Sequence, residues 1–105
     1  MNVLYGVLKE ELERNLSNQS AYIEKLDSME KGSIQYREIK GNTYVYLKFR
    51  EGKRVISKYI CSGKDINKVE ELKKELLDYD RIISNLNALK EDEIKLRKTI
   101  DIYEK

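Results

Sequence analysis

The chain has 105 residues, 40% of them apolar and 38% charged, with a formal net charge of only +2. That length sets one domain, 1–105, with a modest core, and makes self-association, most simply as a homo-dimer, a cheap way to bury more surface. His, Trp and Pro are absent and there is one Cys, which excludes a disulfide framework and a zinc cluster and fits a reducing cytoplasm.

The first segment reads as a helix from Val3 to Lys31. Leu4, Leu8, Leu12 and Leu16 recur at helical spacing, and Tyr22, Ile23, Leu26 and Met29 resume the stripe. Between them Asn15 to Ser20 is polar and a poor helix former, so a bend or break is expected there. Gly32 supplies the expected C-terminal stop. No signal peptide is expected from Met1-Asn2-Val3-Leu4-Tyr5, and no stretch approaches the ~20 apolar residues of a membrane span.

A three-stranded β-meander follows over residues 33–61. Its strands are Ser33 to Lys40, Thr43 to Arg50 and Arg54 to Cys61. Gly41-Asn42 reads as a two-residue type II′ turn and Glu51-Gly52-Lys53 as a three-residue loop. Cys61 reads as a small, half-buried strand residue. After the loop Cys61–Lys64, Asp65 or Asn67 can cap a final helix over 66–103, and Asn67 with Glu70 has capping-box spacing. Val69, Leu72, Leu76, Tyr79, Ile83 and Leu86 form its heptad seam, which slips by one step before Leu89, Leu96, Ile100 and Tyr103. The fold class is therefore α+β: a long helix, an antiparallel meander and a longer helix, with the two helices antiparallel as a hairpin.

Charge is unevenly placed. Residues 33–64 hold eight basic and two acidic residues, whereas the segments on either side are each net acidic. Side chains alternate along a strand. Registering both hairpins by the turns above pairs Arg37 with Tyr46 and Tyr46 with Lys58. One sheet face then holds Ile34, Tyr36, Val45, Leu47, Phe49, Val55 and Tyr59, a core face. The other holds Arg37, Tyr44, Tyr46, Lys48, Arg50, Arg54, Ile56 and Lys58. Cations neutralise phosphates and release counterions, and phenols stack on bases or bond phosphate oxygens. Arg37, Tyr44, Tyr46, Lys48, Arg50, Arg54 and Lys58 are therefore the candidate contact residues for DNA or RNA. A solvated face that guards an open sheet uses the same residue types.

The meander also resembles a known family. Gly32-Ser33-Ile34, Gly41-Asn42-Thr43-Tyr44-Val45-Tyr46, Gly52-Lys53-Arg54 and Lys58 are similar to the arm-binding domain of tyrosine recombinases, over roughly Gly32 to Leu76. The resemblance implies a three-stranded sheet lying in a DNA major groove. The chain departs from that pattern in its preceding helix and its long acidic following helix. The same stretch resembles small uncharacterised proteins of low-GC bacteria and their mobile elements, a resemblance that implies no defined activity.

Catalysis is not expected. There is no His to act as general acid or base or to activate Cys61, and the five glycines are scattered at element ends rather than grouped to cradle a phosphate. Glu38-Ile39-Lys40 has the look of a nuclease strand but lacks a preceding strand with a metal-binding aspartate. No cofactor or metal is called for. The reading is a non-enzymatic nucleic-acid-binding protein whose helices oligomerise. The alternative is a phage or mobile-element inhibitor that docks on a nucleic-acid-handling host defence enzyme. Two further readings are a prefoldin-like chaperone assembly, by similarity of outline, and an oligomeric sponge for small nucleotides.

Overall fold

A computed structural model describes residues 2–105. The chain is α+β: helix α1 (Val3–Asp27), strands β1 (Ser33–Ile39), β2 (Asn42–Glu51) and β3 (Arg54–Ser62), and helix α2 (Ile66–Glu104). The strands form one antiparallel sheet in the order β1-β2-β3. Two compact units result, one of residues 1–28 and 81–105, the other of residues 29–80, with α2 contributing to both.

In the first unit α1 and the C-terminal part of α2 run antiparallel. The Tyr5 hydroxyl donates to Glu104 at 2.7 Å, and Asn15 Nδ2 to the Leu89 carbonyl at 2.9 Å. The leucine seams therefore meet within the chain. Asn2 caps α1 by accepting from the Leu4 N–H at 2.9 Å. The expected break over Asn15–Ser20 does not occur. Asn15 and Gln19 are buried and fully engaged, so tertiary bonding overrides weak helix propensity. The helix stops four residues short of Lys31 because the Ser28 N–H and hydroxyl turn back onto the last carbonyls.

Gly32 is thus not the helix stop. It has φ +117°, and a Cβ there would lie 2.3 Å from the Lys48 carbonyl oxygen. Close approach to β2 demands glycine at this point. The Glu30 N–H donates to the Glu75 carboxylate at 3.0 Å, and Lys58 pairs with Glu30 at 2.9 Å, which ties the linker to α2 and β3.

Both hairpins turn differently from expectation. Lys40 (φ +52°) and Gly41 (φ +80°) are the central residues of the first, with Ile39 opposite Asn42. Two positive φ values make this a type I′ turn, whose twist suits a hairpin. The β1–β2 register moves by two residues as a result, Arg37 facing Tyr44, and faces are preserved because the side-chain period is two. The second loop has two residues, not three. Gly52 (φ +62°) takes the first central position of a II′-like turn, with Glu51 opposite Arg54. That single-residue change turns the paired part of β3 over. A bulge then lies where Val45 faces Cys61 but Tyr46 faces Tyr59, leaving Ile60 extra.

The packed face of the sheet carries Val45 and Leu47, both at 0% exposure, and Cys61. Cys61 is 5% exposed, and so buried rather than half-buried as expected from the sequence. Val45, Cys61 and Val69 of α2 form one cluster with Ile34 and Ile60 against it. Burying Val45 and Leu47 contributes about 1.5–3 kcal/mol each. Helix α2 is capped by Asp65, which accepts from the Lys68 N–H at 3.2 Å, rather than by the Asn67–Glu70 pair. Its phase slip lies earlier than the heptad reading placed it. Ile82, not Ile83, is the buried residue, and the inward series passes from Tyr79 to Ile82 and Leu86. The slip coincides with the passage of α2 from one unit to the other at Asp80 and Arg81. No helix among the described residues is long and apolar enough to cross a membrane.

Candidate functional site

The face of the sheet opposite Val45 and Leu47 is open. From β1 it takes Gln35 and Arg37, from β2 Tyr44, Tyr46, Lys48 and Arg50, and from β3 Val55, Ser57 and Tyr59. Five of the seven sequence-derived site residues are thereby brought together. Arg54 and Lys58 are not. The two-residue loop at Gly52-Lys53 sends them, with Ile56, to the packed face, where Lys58 is paired with Glu30. In exchange Val55, Ser57 and Tyr59 join the open face.

Their placement organises the surface. Tyr59 is 52% exposed and lies edge-on to Tyr46 at 5.6 Å between centroids and tilted against Tyr44 at 6.3 Å. Such contacts hold rings in fixed relation and contribute about 0.5–1.5 kcal/mol each beyond area. The Arg37 guanidinium lies over the Tyr46 ring, 4.3 Å from its centroid, and Nη2 donates to the Ser57 hydroxyl at 3.1 Å. An arginine of the edge strand is thus laid flat across β2 to β3. Its charge is held over the middle of the face rather than at the rim.

The electrostatics are one-signed. Register puts Glu38 and Glu51, the two carboxylates of residues 33–64, on the packed face. Among the described residues no carboxylate pairs with Arg37, Lys48 or Arg50. All three are exposed. Lys40 and Lys64 extend the positive charge at the end where Tyr44 meets Gly41, Asn42, Ser62 and Gly63 around a shallow hollow. No group of three or more His, Cys, Asp or Glu among the described residues is placed to hold a metal ion.

Sequence reasoning missed Tyr59 and Ser57. Two signals could have found them. Glu51 and Arg54 make an opposite-charge pair around Gly-Lys, which a two-residue turn sets directly across. The doublet Ile60-Cys61 interrupts the alternation of β3 and marks the bulge that returns Cys61 to the core.

The chain matches no curated protein and no solved structure. A family profile described as Domain of unknown function (DUF6788) matches residues 6–74, which take in most of α1, the whole meander and the first turns of α2. By that match the chain belongs to the DUF6788 family.

Proposed function

We propose that this chain is a non-enzymatic nucleic-acid-binding protein that uses the open face of its sheet. The observation that carries the reading is the sorting of charge. Arg37, Lys48 and Arg50 stand on that face without a carboxylate, while Glu38 and Glu51 stand on the other. A surface with three unpaired cations and three phenols recognises phosphates by charge and by hydrogen bonds, and keeps ring surface beside them for sugar or base. The resemblance of the meander to the arm-binding domain of tyrosine recombinases supports the same reading.

The test uses the two faces against each other. Binding of DNA and RNA is measured over a salt series by fluorescence anisotropy. Arg37→Glu, Lys48→Glu and Arg50→Glu together should lower affinity at least tenfold and flatten the salt dependence, whereas Arg54→Glu on the packed face should leave both close to the parent. Equal losses from the two faces, or no binding by the parent at low salt, would sink the reading.

A second reading has its own observation. Tyr59, Val55 and Ile39 are about half exposed beside Arg37, and Tyr with Arg is the residue mix that dominates protein interfaces. In that reading the face docks on an acidic surface of a nucleic-acid-handling protein, as the inhibitor of a mobile element would. Partner capture that persists after nuclease treatment and is lost on Arg37→Glu supports it over direct nucleic-acid contact.

A further inference from the structure

We propose that the free edge of β1 is a self-association surface. Two copies pair antiparallel through β1 about a two-fold axis at Tyr36, joining two three-stranded sheets into one of six strands.

A two-residue loop closes on a hydrogen-bonded pair, here Ile39 and Asn42, and bonded and non-bonded pairs alternate from it. Ser33, Gln35, Arg37 and Ile39 therefore bond to β2. The backbone N–H and C=O groups of Ile34, Tyr36 and Glu38 point away from the sheet. Among the described residues no turn, loop or side-chain hydrogen bond reaches them.

The two edges of the sheet differ. The β3 edge is broken by the bulge at Ile60 and carries Arg54 and Lys58, the devices that stop a strand from templating another. The β1 edge has no bulge, proline or lysine over Ser33–Ile39. Its arginine is drawn inward over Tyr46 and Ser57, so it does not guard the rim. Tyr36 is 53% exposed at the middle of this edge.

The strand is also complementary to itself. Seven residues centred on Tyr36 place Ile34 opposite the partner's Glu38, Gln35 opposite the partner's Arg37 and Ser33 opposite the partner's Ile39. No like charges meet, and outward backbone groups face outward backbone groups, giving about six inter-strand hydrogen bonds. A slip of one residue sets outward groups against groups already bonded to β2. A slip of two toward the turn sets Arg37 against Arg37. A slip of two away from the turn sets Glu38 against Gly32, outside the strand, and forfeits about two of the inter-strand hydrogen bonds, so the register centred on Tyr36 is the preferred one. In it the two open faces run on as a single basic surface with twice the cations. That last consequence alone rests on the polyanion reading; the pairing does not.

Nuclease-treated protein is examined by sedimentation equilibrium over a concentration series. The parent should approach twice the 12.5 kDa chain mass. Tyr36→Lys alone and Tyr36→Asp alone should each remain at the chain mass, because each sets like charges across the axis. An equimolar mixture of the two should recover the dimer. Glu38→Pro, which removes another outward N–H, should also give the chain mass and carries the test should both Tyr36 variants fail to fold. A parent at the chain mass throughout overturns the proposal. So does a dimer that none of these substitutions weakens, the result expected of association through the helices. Nucleic-acid affinity is read separately, so loss of the dimer and loss of binding remain distinct outcomes.

Discussion

In the unit formed by residues 29–80 the least exposed side chains are Val45 and Leu47, both apolar and both at 0%. In the unit formed by residues 1–28 and 81–105, α1 contributes no fully buried apolar residue, and its two buried side chains are Asn15 and Gln19. One unit is held by a dry cluster under a sheet, the other by apolar residues of α2 around a polar chain from Asn15 through Gln19 to Glu93 and Arg97. Dry packing contributes stability wherever area is buried. A satisfied polar chain contributes less net energy but accepts only one alignment of partners. The contrast is between a unit stabilised by area and a unit aligned by hydrogen bonds.

The same substitution should have opposite signs in the two units. Gly32→Ala drives a Cβ to 2.3 Å from the Lys48 carbonyl and forces an unfavourable φ, so it should cost roughly 3 kcal/mol or more. Gly6→Ala in α1 meets nothing within 4 Å and should stabilise by about 0.5 kcal/mol, since glycine is the poorer helix former. Urea midpoints of the two variants give the comparison directly. A tolerated Gly32→Ala would mean that the linker does not press on β2 as described.

The polar unit gives the next effect. Gln19→Ala removes the donor to Asn15 Oδ1 and Glu93 Oε1 and leaves a buried acceptor, at a cost of about 1–2 kcal/mol. Replacing Asn15 and Gln19 together by leucine should cost less than that single change, because the buried Asn15 amide goes too and Glu93 keeps its bond from Arg97. The double variant should instead lose alignment, seen as faster amide exchange in α1 at unchanged helix content. If the double variant proves the worse of the two, the chain of bonds is a source of stability and not only of register.

These particulars show how much could be read in advance. Element order and type were legible because periodicity changes plainly from helical to alternating at Gly32 and back at Asp65. Five site residues were legible for a related reason: β1 and β2 keep their faces under a register error of two. Arg54 and Lys58 were misplaced because one residue in a turn reverses a whole strand, and turn length is set by backbone φ that composition barely encodes. Asn15 and Gln19 read as a weak point in a helix because their partners, the Leu89 carbonyl and Glu93, are 74 residues away in sequence. Ile83 was taken into the seam because the slip was placed after Leu86, whereas α2 changes phase between Tyr79 and Ile82, where it passes from one unit to the other.

The smallest effect expected is electrostatic and lies in the polar unit. Glu93 accepts from Arg97 Nε at 2.7 Å and from Gln19 Nε2 at 2.9 Å. The Arg97 bond first, and the Gln19 bond after it, hold its carboxyl below the ordinary 4.5. A carboxyl whose folded value is depressed adds stability that is complete above its unfolded value and is lost as pH falls through the folded one. The advantage of the parent over Glu93→Gln should therefore be constant above about pH 5 and should vanish on acidification below the ordinary carboxylate range. Carboxyl titration followed by NMR should place the Glu93 midpoint below 4.5 in the parent and move it up toward that value on Arg97→Ala. A midpoint unmoved by loss of Arg97 would assign the alignment of this unit to the neutral amides alone.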